Sequence, residues 1–361
     1  MDAKISVLPG DGIGQEVTTE AVRVLNAIQE KYGHRFEYEY ALIGGCAIDQ
    51  MGTALPPKTL DLCKLSDAIL FGAAGGPSWD DVPSEERPER AVAAIRKELD
   101  LFVNLRPIRG RQALAPVLPV KADLIGEGLD FIVIRELAGG IYYGEPRGFV
   151  KEADGERGFN TMSYTTREVD RVVRASFELA RKRSKKLTSV TKENMLESSR
   201  LWREVAAKVS LDFPDVEIEH ILIDACAYFI IQNPSQFDVI VTGNIFGDIL
   251  SDEAGALVGS LGMCPSASYG HTNQGLYEPI HGTAPDIAGN GIANPIAAIL
   301  SAALLLRHTF NLNNEAAEVE NAVDRAIDKG FRTVDIRQQG LKTVGTVEMT
   351  DAIVAEIQQD S

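Results

Sequence analysis

The stretch Phe237–Asp252, F-D-V-I-V-T-G-N-I-F-G-D-I-L-S-D, decides how the rest of the chain is read. Phe237–Thr242 is a short apolar, β-branched run with one early acid, the pattern of a buried strand. Gly243 and Asn244 break it, and a helical pattern with apolar Ile249, Leu250, Leu257 and Val258 follows. Asp248 and Asp252 are four residues apart on that helix, so both carboxylates share one face. Like charges at this spacing repel, and a hard divalent cation such as Mg²⁺ or Mn²⁺, which prefers carboxylate and water oxygens, is the natural counter-charge. A lone D-x-x-x-D more often marks a solvated acidic face. The strand–turn–helix setting and the partners elsewhere in the chain favour the metal. Gly255 and Gly259 continue the face and would let another segment or a ligand approach closely.

The chain has 361 residues, long for one core, so two domains are expected. Its 45% apolar and 24% charged content is that of a globular protein rather than a disordered one. Thirty-six Lys and Arg against 52 Asp and Glu leave a net charge of −16, a poor match for nucleic acid or an anionic membrane. An anionic substrate must then be captured by locally clustered arginines. Cys46, Cys63, Cys226 and Cys264 lack C-x-x-C spacing, so neither a zinc site nor a disulfide framework is expected. The start M-D-A-K-I-S-V-L-P-G has no long apolar segment. Ile296–Leu306 is too short to span a bilayer and reads as a buried helix, with Asn294 and Pro295 as cap and first-turn residues. A cytoplasmic location is expected.

In chain order, Ile5–Leu8 reads as a strand, and P-G-D-G-I-G-Q-E (Pro9–Glu16) as a glycine-rich turn opening a helix over Val17–Glu30. The turn fails the dinucleotide fingerprint, because G-x-G-x-x-G requires glycine where Gln15 stands. A tight strand-to-helix turn and a phosphate cradle remain equal readings of it. Arg35–Ala41 and Ala68–Gly72 read as strands and Thr59–Leu65 as a helix, an alternation that points to a layered α/β fold. Pro88–Leu101 reads as a helix with Glu89, Val92 and Arg96 on one stripe. Asn104–Arg111 is extended around Arg106-Pro107, and Leu129–Ile134 is a strand that delivers Arg135.

Arg96, Arg106 and Arg135 thus stand at element ends, where the planar guanidinium fork suits a carboxylate. The loop Gly139–Gly148 holds Tyr142 and Tyr143, and side-chain chemistry does not choose between them. After a helix over Thr165–Lys185, the strand Leu187–Thr191 ends in Lys192, and the strand Ile218–Ile223 is followed by Asp224. Arg135, Lys192, Asp224 and Asp248 therefore all lie at or just past the C-terminal ends of strands, where open α/β sheets bind ligands. Gly275–Pro295 reads as a long loop holding Glu278, His281, Asp286 and Asn294; its small residues admit a flat or phosphorylated ligand, and an acid such as Asp286 suits ribose hydroxyls and repels a 2′-phosphate. Glu315–Lys329 and the segment after Thr350 read as closing helices.

Taken together, L-P-G-D-G-I-G, L-F-V-N-L-R-P, V-I-R-E-L-A-G-G-I-Y-Y-G-E-P-R-G, V-T-G-N-I-F-G-D-I-L-S-D-E and E-P-I-H-G-T-A-P-D-I-A-G resemble the β-decarboxylating dehydrogenase family of isocitrate and isopropylmalate dehydrogenases, over nearly the whole chain. The resemblance implies a two-domain, three-layer α/β fold with a mixed sheet and no Rossmann nucleotide site. Residues 1–103 with 258–361 would form a cofactor domain from both chain ends, and 104–257 a central substrate, metal and dimerisation domain. It implies that Arg96, Arg106 and Arg135, beside Val92 and Asp224, hold a malate-type dicarboxylate. Asp248 and Asp252, with Asp224 from a second subunit, would coordinate Mg²⁺ or Mn²⁺. Tyr142, and Lys192 from that subunit, would handle protons in a homodimer. Ile13, Glu89, Glu278, His281, Gly282, Thr283, Ala284, Asp286 and Asn294 would bind the cofactor.

In this family an Asp at the position of Asp286 goes with NAD. Val92 and Ala93 stand where isopropylmalate enzymes commonly carry two leucines and isocitrate enzymes Ser and Asn. An alkyl substituent fits best there, since a polar one would lose hydrogen bonds. The implied reaction is oxidative decarboxylation of 3-isopropylmalate, with another alkylmalate, homoisocitrate, tartrate or malate as alternatives. A non-catalytic regulatory paralogue would be missing a metal or proton-handling residue, and none is missing. A Mg²⁺-dependent phosphoryl-transfer enzyme would want G-x-x-x-x-G-K-[ST], which is absent.

Overall fold

The computed structural model describes residues 1–121 and 128–359. In chain order the strands and helices are β1 (Asp2–Gly10), α1 (Gly14–Tyr32), β2 (Arg35–Tyr40), α2 (Gly45–Met51), α3 (Pro57–Leu65), β3 (Ala68–Ala73) and α4 (Glu89–Glu98). Then come β4 (Val103–Arg109), β5 (Asp130–Glu136), β6 (Gly148–Glu152), β7 (Gly155–Phe159), α5 (Thr166–Arg181), β8 (Lys186–Thr191) and α6 (Glu197–Val209). The rest are β9 (Glu217–Leu222), α7 (Ile223–Gln232), β10 (Val239–Thr242), α8 (Asn244–Gly255), β11 (Pro265–Tyr269), β12 (Gly275–Pro279), α9 (Ile296–His308), α10 (Asn313–Asp328), the short strands β13 (Phe331–Arg332) and β14 (Lys342–Thr343), and α11 (Thr346–Gln358). Among the described residues no helix is long and apolar enough to cross a membrane.

The described residues divide into two compact units. One comprises Met1–Leu101, 110–121 and 255–359; the other comprises Phe102–Arg109 and 128–254. In the first unit the strand order is β2-β1-β3-β12-β11. All its pairs are parallel except β11 with β12. Helix α9 packs on β12, β11 and β3 and against α1 and α10. Its residues Ile296–Leu306 are buried on every side, as an all-apolar helix requires. Asn294 Oδ1 accepts the amide of Ile296 at 3.0 Å, so the expected cap forms although the helix proper begins two residues later. The turn after β1 is filled by the chain itself. Three of its own amides are spent on the chain, Asp11 N on the Ala73 carbonyl (2.8 Å), Ile13 N on that of Thr283 (2.9 Å) and Gly14 N on that of Asp11 (3.0 Å). The buried Asp11 carboxylate accepts the amides of Gly45 (2.7 Å), Cys46 (2.8 Å) and Gly75 (2.9 Å), which favours the tight turn over a phosphate cradle. A Cβ on Gly14 would lie 2.3 Å from the Pro9 carbonyl, so glycine is required for α1 to pack this close to the sheet.

In the second unit the order is β4-β5-β10-β8-β9, antiparallel between β4 and β5 and parallel elsewhere. Helix α5 opens with a capping box in which Thr165 Oγ1 accepts the Glu168 amide and Glu168 accepts the Thr165 amide, fixing its start at Thr166.

Three readings of the sequence need correction. The stretch read as one loop from Gly275 begins with strand β12, and C-P-S-A-S-Y-G holds β11. Both strands are short, almost wholly buried and bounded by Gly or Pro, so neither alternation nor length betrays them. Helix α8 ends at Gly255, leaving Leu257 and Val258 beyond it, and Gly259 takes a left-handed φ of 105° that a continuing helix would not allow. Helix α5 stops at Arg181 rather than at Lys185, which itself has φ 61°.

Candidate active site

Strand β5 carries Arg135 as its penultimate residue, and the register places Thr242 of β10 beside it. The chain then turns at Gly243 into α8, whose first two turns pass over the arginine. A Cβ on Gly247 would lie 2.7 Å from Arg135 Cβ, so the glycine before Asp248 gives the arginine its path to the helix. Arg135 donates Nη1 to Asp248 Oδ1 at 2.5 Å and Nε to Asn244 Oδ1 at 2.9 Å. From β4, Arg106 donates Nη1 to Ser251 Oγ at 2.7 Å and Nε to Asn104 Oδ1 at 2.7 Å. Its Nη1 also lies 3.3 Å from Asp248 Oδ1 and 3.4 Å from Asp252 Oδ1.

Both guanidiniums are buried, at 5% and 4% exposure, whereas the Asp248 and Asp252 side chains remain 33% and 50% open. Two fixed positive charges therefore lie beneath two carboxylates whose outer oxygens face outward. Within the chain the arginines supply the counter-charge that the D-x-x-x-D spacing demands. Burial holds the Asp252 carboxyl above the usual range against the opposing Arg106 charge, with a smaller upward push from the Asp248 charge.

The two tyrosines separate here. Tyr142 donates its hydroxyl to Asp248 Oδ2 at 3.1 Å, and its ring lies 5.6 Å from the Arg135 guanidinium carbon. Burial, followed by the Asp248 charge, pushes the Tyr142 phenol above its ordinary value, so it stays protonated at neutral pH. Lys192, just past β8, donates Nζ to Asp224 Oδ1 in the first turn of α7 at 2.5 Å. The hydrogen bond from Lys192 holds the Asp224 carboxyl below the usual range. Among the described residues no three acids, histidines or cysteines gather as a metal cage. One chain thus presents Asp248 and Asp252 with two arginines, and separately a Lys192–Asp224 pair.

The remaining residues named from the sequence lie in the first unit. Arg96 on α4 donates to Glu278 Oε1 on β12 at 2.5 Å. Glu89 opens α4 against Gly75, and Val92 packs half-buried on the core of Leu8, Phe71, Ile95 and Leu276. The Ile13 amide donates to the Thr283 carbonyl at 2.9 Å. Ala284 has φ 38°, and Gly282 and Asp286 are exposed. His281 Nδ1 lies 2.9 Å from the Gly282 carbonyl, while its buried Nε2 meets no partner. Burial pushes the His281 pKa down. Asn294 also bonds within the unit, where Oδ1 caps α9 and Nδ2 donates to Asp335 Oδ2 at 3.0 Å. Asn104, Asn244 and Ser251, which fix the arginines, escaped the sequence reading, because amides and hydroxyls of this kind announce nothing until their partners are known.

Paired guanidiniums beneath paired aspartates, with a protonated phenol on one of them, are equipped to bind an anionic substrate and return a proton to it. The family model for isocitrate/isopropylmalate dehydrogenase matches residues 4–353, and the chain belongs to this family of decarboxylating dehydrogenases. It is 55% identical over 356 residues to the 3-isopropylmalate dehydrogenase of Aquifex aeolicus, covering 99% of this chain and 97% of that one. To the 3-isopropylmalate dehydrogenase of Geobacillus kaustophilus it is 56% identical, covering 97% and 94%. Among solved structures it resembles isocitrate dehydrogenase from Methylococcus capsulatus, with a TM-score of 0.88 and 32% identity over 99% of this chain and 100% of that one.

Proposed function

We propose that this chain catalyses NAD-dependent oxidative decarboxylation of 3-isopropylmalate to 2-oxoisocaproate and CO₂ in leucine biosynthesis, as a cytoplasmic, divalent-metal-dependent homodimer. The observation that carries the reading is the convergence of Arg106 and Arg135 on Asp248 and Asp252, with the Tyr142 hydroxyl 3.1 Å from Asp248. The relatives that bear the 3-isopropylmalate name, at 55% and 56% identity, support the substrate over isocitrate.

The donor set fits Mg²⁺ or Mn²⁺, because hard carboxylate oxygens are what these ions select and both aspartates keep an open side. Asp224 from a second subunit would complete the set. For NAD, the buried and unpartnered His281 Nε2 and the exposed Asp286 fit a ligand's polar atoms and ribose hydroxyls. Ile13, Glu89, Glu278, Gly282, Thr283, Ala284 and Asn294 join the proposed cofactor set. When bound, the divalent ion would supply Lewis acidity to the substrate's oxygens and NAD would supply a hydride acceptor.

The chain's own residues do the rest. Arg106 and Arg135, with Arg96, grip the two carboxylates and hold the substrate in one orientation. Val92 and Ala93 leave room for the alkyl branch. Lys192, from the partner subunit, takes the hydroxyl proton, and Asp224 beside it keeps the amine in place. Tyr142, kept protonated by its surroundings, then hands a proton to the carbon left bare by CO₂.

The test is formation of reduced nicotinamide with Mg²⁺ present, comparing 3-isopropylmalate with isocitrate, homoisocitrate, tartrate and malate. Turnover of 3-isopropylmalate with NAD⁺, weak with NADP⁺ and abolished by EDTA, is expected. Preference for another acid would overturn the reading of Val92 and Ala93, and no turnover of any would overturn the enzyme itself.

A further inference from the structure

The second unit holds a buried polar assembly beneath the arginine clamp. Asn244, the first residue of α8, is 1% exposed and uses three of its polar groups at once. Its amide donates to the Tyr164 hydroxyl at 2.7 Å, its Nδ2 donates to the Gly139 carbonyl at 3.0 Å, and its Oδ1 accepts Arg135 Nε at 2.9 Å. One side chain thus joins the helix that carries both aspartates, the arginine that grips Asp248, and the loop that carries Tyr142.

Tyr164 is the base of this assembly. Its hydroxyl satisfies an amide that the start of α8 would otherwise leave unpaired. Its ring stacks edge-on against Trp202, with centroids 5.5 Å apart, so it has little freedom to tilt. The loop is laid on that ring: a Cβ on Gly140 would lie 2.3 Å from Tyr164 Oη, and one on Gly139 3.0 Å from its ring carbon. Gly140 N donates to the Ser163 carbonyl at 3.1 Å, and a Cβ on Gly144 would come within 2.0 Å of the Thr161 carbonyl. The loop on either side of Tyr142 is therefore seated on residues 161–164.

We propose that Asn244 and Tyr164 are positioning residues that set Arg135 and Tyr142 against Asp248 together, so that substrate grip and proton delivery depend on one bracket. The proposal rests on the function given above. Loss of the Asn244 side chain frees Arg135 Nε and the Gly139 carbonyl at once, which misaims the guanidinium and loosens the tyrosine loop. Small displacements of this kind cost heavily in an oriented site.

The experiment compares the full-length protein with Asn244→Ala, Tyr164→Phe and the double variant. Steady-state kinetics with 3-isopropylmalate, Mg²⁺ and NAD⁺ are measured beside thermal unfolding and calorimetric titration of substrate. Asn244→Ala is expected to raise the substrate KM and lower kcat, each about tenfold or more, with the KM for NAD⁺ within about twofold of wild type. Calorimetry should show the same loss of substrate affinity without turnover. Tyr164→Phe, which removes one oxygen and keeps the ring, is expected to lower kcat by a few-fold. The double variant should lose less than the product of the two single losses, since both side chains hold one loop and one helix start, although the Asn244 main-chain amide that Tyr164 accepts is still present in Asn244→Ala. A kcat and substrate KM unchanged in folded Tyr164→Phe and Asn244→Ala would overturn the proposal, as would an equal rise in the NAD⁺ KM. Should Asn244→Ala fail to fold, unchanged kcat in Tyr164→Phe alone would overturn it. A wild-type protein inert toward 3-isopropylmalate would instead overturn the functional reading.

Discussion

Glu136, next to the clamp arginine, shows how one residue carries a pH dependence for the whole fold. Its carboxyl is fully buried and accepts the amides of Ala138 at 2.8 Å and Gly139 at 2.9 Å. These bonds favour the charged form, yet burial outweighs them and lifts the group from its ordinary 4.5 to about 7. Between those values the folded chain binds this proton more strongly than the unfolded chain does. The stabilising contribution is therefore fully present below pH 4.5 and is lost as pH rises through about 7. Glu136→Gln, uncharged throughout, should flatten the fall in urea midpoint across that window, and a slope equal to that of wild type would refute the assignment. Legibility at this scale follows residue type. Charged residues can be nominated from the sequence, and Arg106 in the middle of β4, Arg135 near the end of β5, and Asp248 and Asp252 on α8 stand together in the structure. The choice between Tyr142 and Tyr143 cannot be made from the chain alone, because it depends on which hydroxyl reaches Asp248.

Among the elements, α9 and α7 have similar apolar sequences and opposite surroundings. Helix α9 is enclosed, and Leu305→Ala within it should cost about 2–5 kcal/mol through lost burial and the cavity left behind. Chemical denaturation would measure that cost, and a loss well under 1 kcal/mol would mean that the neighbours collapse into the gap. Helix α7, I-D-A-C-A-Y-F-I-I-Q, buries only Cys226 and Ile230. Tyr228 and Phe229 stay 61% and 37% exposed, and Ile249 on α8 is 59% exposed. A helix apolar on nearly every side is normally a covered one, so these surfaces are where the proposed second subunit would sit. Phe229→Glu should then convert a dimer to a monomer by size-exclusion chromatography and abolish turnover with it; an active dimer would remove α7 from the interface. Element-level legibility follows periodicity. Strands β1, β3, β5 and β10 are visible as apolar runs, whereas β11 and β12, short and punctuated by Gly and Pro, are specified by the strands and helix packed around them.

At the scale of the whole molecule, the proposed division of the site between two copies is what neither the sequence pattern nor a single chain supplies. The long motifs make the family legible because they keep their order over residues 4–353. Contacts such as Asn244 with Tyr164, 80 positions apart, are not legible, since nothing local in either residue names the other. In the proposed homodimer one chain's Asp248 and Asp252 would meet the other chain's Lys192 and Asp224. Lys192→Ala and Asp252→Asn should each be nearly inactive alone. If the two inactive proteins are unfolded, mixed in equal amounts and refolded, half of the dimers will be hybrids. In a hybrid, one site receives both defects and the other neither, so about a quarter of wild-type activity should return. If all the residues of a site came from one chain, every chain in the mixture would still carry a lesion in its own site, and activity would stay at the level of the parents. Recovery near a quarter, dependent on co-refolding and absent on simple mixing of folded dimers, is the outcome that a shared site requires.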